Sequence, residues 1–555
     1  MYDLEPIRAP RLAGPALRAL AALASRPRAG SLLREQLLRQ VGVDLLRTAQ
    51  IDDPPQFEPR FSGTSAPPAS PTLDEVVAGP TPVGHPWATL ADYRRAYAEE
   101  GRSPVDVARR LLDALSASER EEPALRVLIA QQPDDLLHQA ERSAERWRAG
   151  RPLGPFDGVP VAIKDEVDQR GYPTTVGTRF HGSAPATADA TTVARLRAAG
   201  ALLFGKANMH EIGLGVTGLN PHHGPARNPF DPARATGGSS SGSAAAVAAG
   251  LCPVALGADG GGSIRIPAAL CGLVGLKPTF GRVSEHGAAP LCWSVAHIGP
   301  LAGTARDAAA AYMIMAGEDP EDPHTLGQPK PHLTGFGGSQ DLRGVTLGVF
   351  KPWFEDADPG VVTACERLLD GLRAAGATIR EVSIEGLRLA SIAHMVTIAV
   401  EMVASQLPWL KAHGADYGPD VRINLALARD MGGADYVQAQ RVRARMVRQM
   451  LSLLSGVDAI VTPATGCTAP PLPRDALQSG ESNLELLGRI MRYAPLANLT
   501  GLPAISFPAG WDADGLPVGL QAIGRPWDEA LLLRLAHAAE GMVEHRRPAR
   551  VYSPL

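Results

Sequence analysis

TGGSSSGSAAAVAAGLCPVALGADGGGSIRIP, residues 236 to 267, sets two glycine-serine clusters on either side of a small-residue segment. The stretch holds five serines and eight glycines, with no histidine and no lysine. Serine flanked by glycine suits a nucleophile, so the question is which hydroxyl attacks and what takes its proton. Residues 238 to 242, GSSSG, match the nucleophile elbow of α/β-hydrolases with Ser240 at the centre. That elbow needs a strand directly before it, and Asn228 to Thr236, NPFDPARAT, is turn-forming instead. The run GADGGGS lacks the G-K-[ST] ending of a nucleotide-binding P-loop. Two glycine runs around a small-residue helix therefore call for a third element.

Lys164 supplies it. The segment GVPVAIKDEVD alternates Val159, Val161 and Ile163 and ends the strand-like run on a lysine. A lysine at the end of an apolar strand is a candidate base, since desolvation favours the amine. A surface lysine paired with Asp165 or Glu166 is the structural alternative.

The rest of the chain sets limits. Its 555 residues include 45% hydrophobic and 20% charged positions, with a net charge of -4. That is enough for a large core, and it does not suit a nucleic-acid binder. Five cysteines, an odd number with no C-x-x-C pair, suggest buried free thiols in a reducing compartment. Only six lysines occur, at 164, 206, 277, 330, 351 and 411, against a large excess of arginine. The N-terminus shows no basic signal region, and the uncharged window from Ala235 to Ala258 reads as a buried loop and core helix.

Residues 1–61 read as a helical extension, with helices over Ala13 to Ser25 and Ser31 to Thr48 stopped by DDPPQFEP. Residues 62–86 read as a Pro-rich linker, and 87–555 as the catalytic domain. Within that domain Ser103-Pro104 opens a helix, and Asp189 is the expected N-cap of a helix from about Ala190 to Ala199. The strand-helix-strand rhythm recurs at 342–382, a long helical stretch covers 386–455, and VDAIVTPA, PAISFPAG and VGLQAIG close the pattern as strands. The fold class is α/β.

Seven blocks then line up: PFDGVPVAIKDEVD, TTVGTRF, LLFGKANMHE, TGGSSSGSAAAVAAG, GADGGGSIRIPAALCGLVGLKPTFGRVS, NLTGLPAISFPAG and GLPVGLQAIG. Together they resemble the amidase signature family across nearly all of residues 87–555. The resemblance implies a mixed, twisted central sheet covered by helices on both faces. It implies a base at Lys164, a bridging serine at Ser239 after a cis peptide, and a nucleophile at Ser263. The oxyanion hole falls on the backbone of Gly260, Gly261, Gly262 and Ser263, with Ser240, Asp259 and Arg265 in support. The relay is chemically sensible, because a hydroxyl both donates and accepts. Ser241 stands where the family often has glycine, and is expected to cap the following helix. No cofactor and no metal are implied.

Within that family the chain is most similar to the plant-type fatty acid amide hydrolases, in GKANMHEIGLGVTGLNPHHGPARNPFDP and in the order of RAPRLAG, GSLL and IDDPPQFEPRF. This implies a small-molecule substrate bearing an acyl chain, hydrolysed to fatty acid plus amine. It implies a homodimer in the cytoplasm with peripheral membrane contact. Met209, Gly213, Met395 and Met402 are the candidate substrate contacts, within an acyl channel lined from Leu387 to Leu410. The N-terminal helices are expected over its mouth; Arg18, Arg26, Arg28, Arg34 and Arg39 would be the polar face of a membrane-bound alternative. The competing readings are a broad amidase acting on aryl acylamides, short amides, esters or urethanes, the glutaminase component of a tRNA-dependent amidotransferase, and an inactive acyl-binding scaffold.

Overall fold

A computed structural model describes all residues except 1, 6–8, 28–29, 64–68 and 338–339. Arg28, the first residue of RAPRLAG and part of the expected linker lie outside the described residues. The centre is an 11-stranded sheet. In spatial order its strands are Leu128–Ala130, Leu202–Ala207, Pro160–Lys164, Val254–Ala258, Ile298–Ala302, Val274–Lys277, Ala504–Trp511, Pro517–Gly524, Ala459–Pro463, Thr346–Val349 and Thr378–Glu381. The sheet is mixed. Pro160–Lys164 runs parallel to both its neighbours, whereas Val254–Ala258 and Ile298–Ala302 are antiparallel.

The strand read as alternating is buried at all five positions, as are Leu202–Ala207, Val254–Ala258 and Ala459–Pro463. Helices cover both faces, which is why these strands are apolar without alternation. Ser241–Ala248 is an example: every residue is buried, and it packs on four of the central strands. Small side chains let it lie close to the sheet. A Cβ on Gly242 would come 2.3 Å from the Asn208 amide nitrogen and the Val127 carbonyl oxygen.

The N-terminal part departs from the sequence reading in three ways. The second helix is broken into Ser31–Gln40 and Val43–Thr48 at Gly42, whose φ of 87° only glycine adopts readily. The linker contains a helix, Leu73–Val77, closed by a Thr72–Glu75 capping box and docked through buried Val76 and Val77 onto Ala305–Met315. The extension also shares its core with the body. Leu17 and Ala21 cluster with Ile423, while Leu38, Val43 and Leu46 cluster with Ile392, Val396 and Val442. Arg34 is not a polar-face residue. It is buried, pairs with Asp430 at 2.6 Å, and donates to the carbonyls of Ala24, Arg26 and Pro27 at the end of the first helix.

The long helical stretch resolves into Leu387–His413, Pro419–Ala428 and Gly433–Leu454. The first, whose most apolar 18-residue window has mean hydropathy 1.5, is long and apolar enough to cross a bilayer by length and composition. Here it packs lengthwise on Gly433–Leu454, and 50% of its most apolar window is buried. Asp189 does not cap the helix Thr191–Ala198, whose N-cap position is Ala190. Its carboxylate instead binds Arg197 at 2.7 Å and the Arg170 amide at 2.8 Å.

Candidate active site

Parallel pairing of Pro160–Lys164 with Val254–Ala258 brings their carboxyl ends side by side. Ligands in α/β sheets collect at such ends. Lys164 closes the first strand and Asp259 follows the second, so the base and the glycine loop emerge together. Lys164 is 1% exposed, and its Nζ donates to Ser239 Oγ at 2.8 Å and to the Ala258 carbonyl at 3.2 Å. The alternative pairing is present as well, but buried: Glu166 Oε2 lies 2.7 Å from Lys164 Nζ. Asp165 turns the other way, receiving the Thr175 hydroxyl at 2.5 Å and the Gly177 amide at 3.0 Å, with Lys206 3.6 Å away.

The Gly238–Ser239 peptide is cis. Ser239 stands just ahead of Ser241–Ala248, and its carbonyl accepts the His210 amide at 3.0 Å. The serine loop touches the nucleophile loop through the Ser240 amide, which donates to the Ser263 carbonyl at 3.4 Å. Ser240 is not poised for attack. Its hydroxyl is buried against the Ala258 backbone, donating to the carbonyl at 3.2 Å and accepting the amide at 3.3 Å. Ser241 is not the expected cap: it is the first helical residue, and its hydroxyl donates across to the Asn208 carbonyl at 3.4 Å.

Of the four residues expected at the oxyanion hole, one has its N–H already engaged. Gly262 N–H donates to Asp259 Oδ1 at 2.6 Å and is therefore occupied. Among the described residues, the N–H groups of Gly260, Gly261 and Ser263 have no protein acceptor. Asp259 organises the loop. It also receives the Ile264 amide at 3.1 Å, Arg265 Nε at 3.0 Å and Asn498 Nδ2 at 2.9 Å. Burial opposes ionisation of Asp259, yet Arg265, Lys277 and Asn498 together hold its carboxyl far below the usual range. Arg265 is satisfied in turn by Gln521 Oε1 and Asn498 Oδ1, each at 2.5 Å, and by the Ala494 carbonyl at 3.1 Å. The expected supporting ion pair is thus a closed buried network.

Of the candidate substrate contacts, Gly213 lies beside the relay. A Cβ built on it would meet Leu291 at 3.4 Å and Ser239 Oγ at 3.6 Å. Met209 and Met402 share one apolar cluster with Ile212, Leu291, Cys292 and partly buried Ile398. Met395 does not join it. It packs in the cluster of Gly433–Leu454 and the N-terminal helices, because seven residues carry it about 10 Å along the helix from Met402. Leu407, another expected channel residue, is 58% exposed.

Three features had no sequence signal strong enough to find them. Val176 and Ile212 both have positive φ, 47° and 45°, and the Ile212 amide donates to the Val176 carbonyl at 2.8 Å. Positive φ in β-branched residues costs about 1–3 kcal/mol each and concentrates at functional sites. His394, on the helix Leu387–His413, sets its Nε2 2.7 Å from the Gly260 carbonyl. Asn498 and Gln521 reach the loop from the far C-terminal strands and helix.

The amidase family pattern matches residues 109–533. The chain belongs to the amidase signature family. It is a hydrolase of linear amide bonds, and its sheet and helices match those of solved amidases. A fatty acid amide hydrolase of Arabidopsis thaliana is 37% identical over 592 aligned positions, covering 100% of this chain and 96% of that protein. A glutamyl-tRNA(Gln) amidotransferase subunit of Symbiobacterium thermophilum is 38% identical, covering 80% of this chain and 95% of its own. Among solved structures, the peptide amidase of Stenotrophomonas maltophilia superposes with a TM-score of 0.71 at 30% identity, covering 83% of this amidase and 98% of its own chain.

Proposed function

We propose that this amidase hydrolyses fatty acyl amides through an acyl-enzyme on Ser263, with Ser239 and Lys164 as the proton relay. The observation that carries the chemistry is the buried Lys164 Nζ–Ser239 Oγ hydrogen bond of 2.8 Å behind a triple-glycine loop. Lys164, as its amine, accepts the Ser239 proton while Ser239 accepts that of Ser263. Ser263 Oγ attacks the amide carbonyl, and the developing oxyanion is met by the N–H groups of Gly260, Gly261 and Ser263. The proton returns through Ser239 to the leaving amine, and water then cleaves the ester.

Two things support the acyl-chain reading. The plant fatty acid amide hydrolases align over the whole chain, extension included, whereas the match to the amidotransferase spans 80% of it. Apolar side chains also crowd the glycine loop: Cβ atoms on Gly260 and Gly261 would meet Cys292, Ile398 and Met491 within 3.3 Å.

The deciding experiment is a chain-length series of N-acylethanolamines, with kcat/KM rising toward palmitoyl and oleoyl. Faster turnover of acetyl anilides refutes the fatty-amide reading. Ser263→Ala should abolish both turnover and fluorophosphonate labelling; labelling that moves to Ser240 refutes the nucleophile. We further propose a cytoplasmic homodimer with peripheral membrane contact, supported by the resemblance and by Leu32 and Leu45 of the extension, 84% and 42% exposed. Sedimentation as a monomer, or failure to float with anionic vesicles, refutes the respective part.

A further inference from the structure

Leu387–His413 is an apolar helix with four buried polar side chains, of which Gln406 stands apart and His394, Thr397 and Glu401 form a row. The spacing of three and then four residues places them on one face. Thr397 and Glu401 bind neighbouring elements. The Thr397 hydroxyl accepts Gln440 Nε2 at 2.9 Å, and Glu401 takes the Ser294 amide at 3.0 Å, the Ser294 hydroxyl at 2.5 Å and Tyr436 OH at 2.8 Å. Arg443 completes this group through the Ser294 hydroxyl at 2.8 Å. These contacts fix the rotation of the helix. They leave His394 as the member of the row that reaches the glycine loop.

We propose that His394 is a positioning residue for the oxyanion hole, setting the direction of the Gly261 N–H through its hydrogen bond to the Gly260 carbonyl. The two groups belong to one peptide unit. In a planar trans peptide, C=O and N–H point in opposite directions, so holding the oxygen aims the hydrogen. Glycines on both sides of that peptide leave its plane free to rotate unless something outside the loop holds it. His394 Nε2 holds it at 2.7 Å. The ring also closes over Gly261, where an added Cβ would lie 2.9 Å from His394 Cε1. A donor on the Gly260 oxygen polarises the amide and strengthens the N–H on its far side.

The protonation state fits the role. Burial pushes the imidazole down to about 4, so near neutral pH it carries one proton. The Gly260 carbonyl can only accept, which places that proton on Nε2.

The inference rests on Ser263 as nucleophile, and the test separates the two. Three variants are compared with the wild type: His394→Leu, which loses the donor; His394→Asn, whose amide is too short to reach; and His394→Gln, whose Nε2 takes the place of the ring nitrogen. The probes are a long-chain acyl p-nitroanilide and the matching trifluoromethyl ketone, which forms a tetrahedral adduct on the nucleophile. Leu and Asn should lower kcat about 10- to 100-fold with KM nearly unchanged, by analogy with loss of one oxyanion donor. Affinity for the ketone should fall by the same factor, and Gln should recover most of both. A purely structural role would lower the folded fraction without this parallel loss. Wild-type kcat in Asn, a kcat loss without loss of ketone affinity, or Gln as impaired as Asn overturns the proposal. Wild-type protein that fluorophosphonate does not label at Ser263 overturns the underlying mechanism instead.

Discussion

Replacing Arg265 by methionine tests what holds the nucleophile loop in place. Both partners of the Asp259–Arg265 pair are sealed from solvent, at 0% and 1% side-chain exposure. Arg265→Met keeps most of the side-chain length but removes the guanidinium bonds to Asp259 at 3.0 and 3.1 Å. It also strands the Ala494 carbonyl, Gln521 Oε1 and Asn498 Oδ1 as acceptors. Breaking a buried pair on one side costs about 3–5 kcal/mol, because a charge stays behind unpaired. The Gly262 and Ile264 amides and Asn498 Nδ2 remain on Asp259, which places the cost near the lower end, about 3 kcal/mol. At about 2.1 cal/mol/K of unfolding entropy per residue, each kcal/mol moves the melting point of a 555-residue chain by about 0.9 °C, so a drop of about 2–3 °C is expected.

Calorimetry at neutral pH reads that drop, and a double-mutant cycle with Asp259→Asn reads its origin. The double variant should be less destabilised than the sum of the singles by about 1–3 kcal/mol, since the orphaned charge is then gone. Acid adds a sign. The folded Asp259 carboxyl lies below its ordinary value of 3.8, so its contribution is complete above pH 3.8 and is lost as pH falls below that. The wild type should therefore lose its advantage over Arg265→Met on acidification. A variant melting within about 1 °C of wild type, or additive singles, refutes the claim that this pair fastens the loop.

Lys164→Arg replaces the proposed base by a group that stays protonated, and should leave at most a trace of turnover with the fold intact by circular dichroism. Activity near wild type removes Lys164 from the relay. Gly242→Ala places a methyl 2.3 Å from two backbone atoms, which cannot move away as a side-chain tip would, so little soluble protein is expected on expression. Normal yield and melting would contradict the close helix-sheet contact. His85 is partly buried, neither ring nitrogen has a hydrogen-bond partner among the described residues, and desolvation pushes the ring down to about 3. The unfolded ring titrates near 6.5, so its contribution is complete above that value and declines as pH falls toward 3. His85→Phe should flatten the melting profile between pH 6 and 4, at about those limits; an unchanged slope rejects it. Deleting residues 1–61 uncovers Ile392, Val396 and Ile423 on the body, and should lower the melting point and cause aggregation. A monodisperse, equally stable truncation would show the extension to be dispensable.

The division between what the sequence disclosed and what it withheld follows chain distance and chemistry. Lys164, Ser239 and Ser263 stand out as candidates because each sits in a motif whose residue types are unusual. A lysine ends an apolar strand, and glycine runs frame the serines. Asp259 and Arg265 were legible as a pair because six residues on one loop join them. The central strands were recognisable from their apolar runs, although the alternation read in Val159, Val161 and Ile163 reflected β-branching and not an exposed face: the whole strand is buried.

What escaped depends on where one helix passes. The apolar residues between Met395 and Met402, namely Val396, Ile398, Ala399 and Val400, are alike in character, so nothing local says that one end faces the extension and the other the site. His394 has no motif around it in the sequence, and only the third dimension reveals the Gly260 carbonyl at its tip. The engagement of the Gly262 N–H, which removes it from the proposed oxyanion hole, has the same root. A sequence shows three equivalent glycines. The acid that precedes them reaches forward three residues to claim one N–H, and φ of 117° at Gly262 sets the turn that lets it do so. The two N–H groups before it, with that of Ser263, are left without a protein acceptor among the described residues. Asp259 thus does more than brace Arg265: by removing one donor from the loop it determines which three remain.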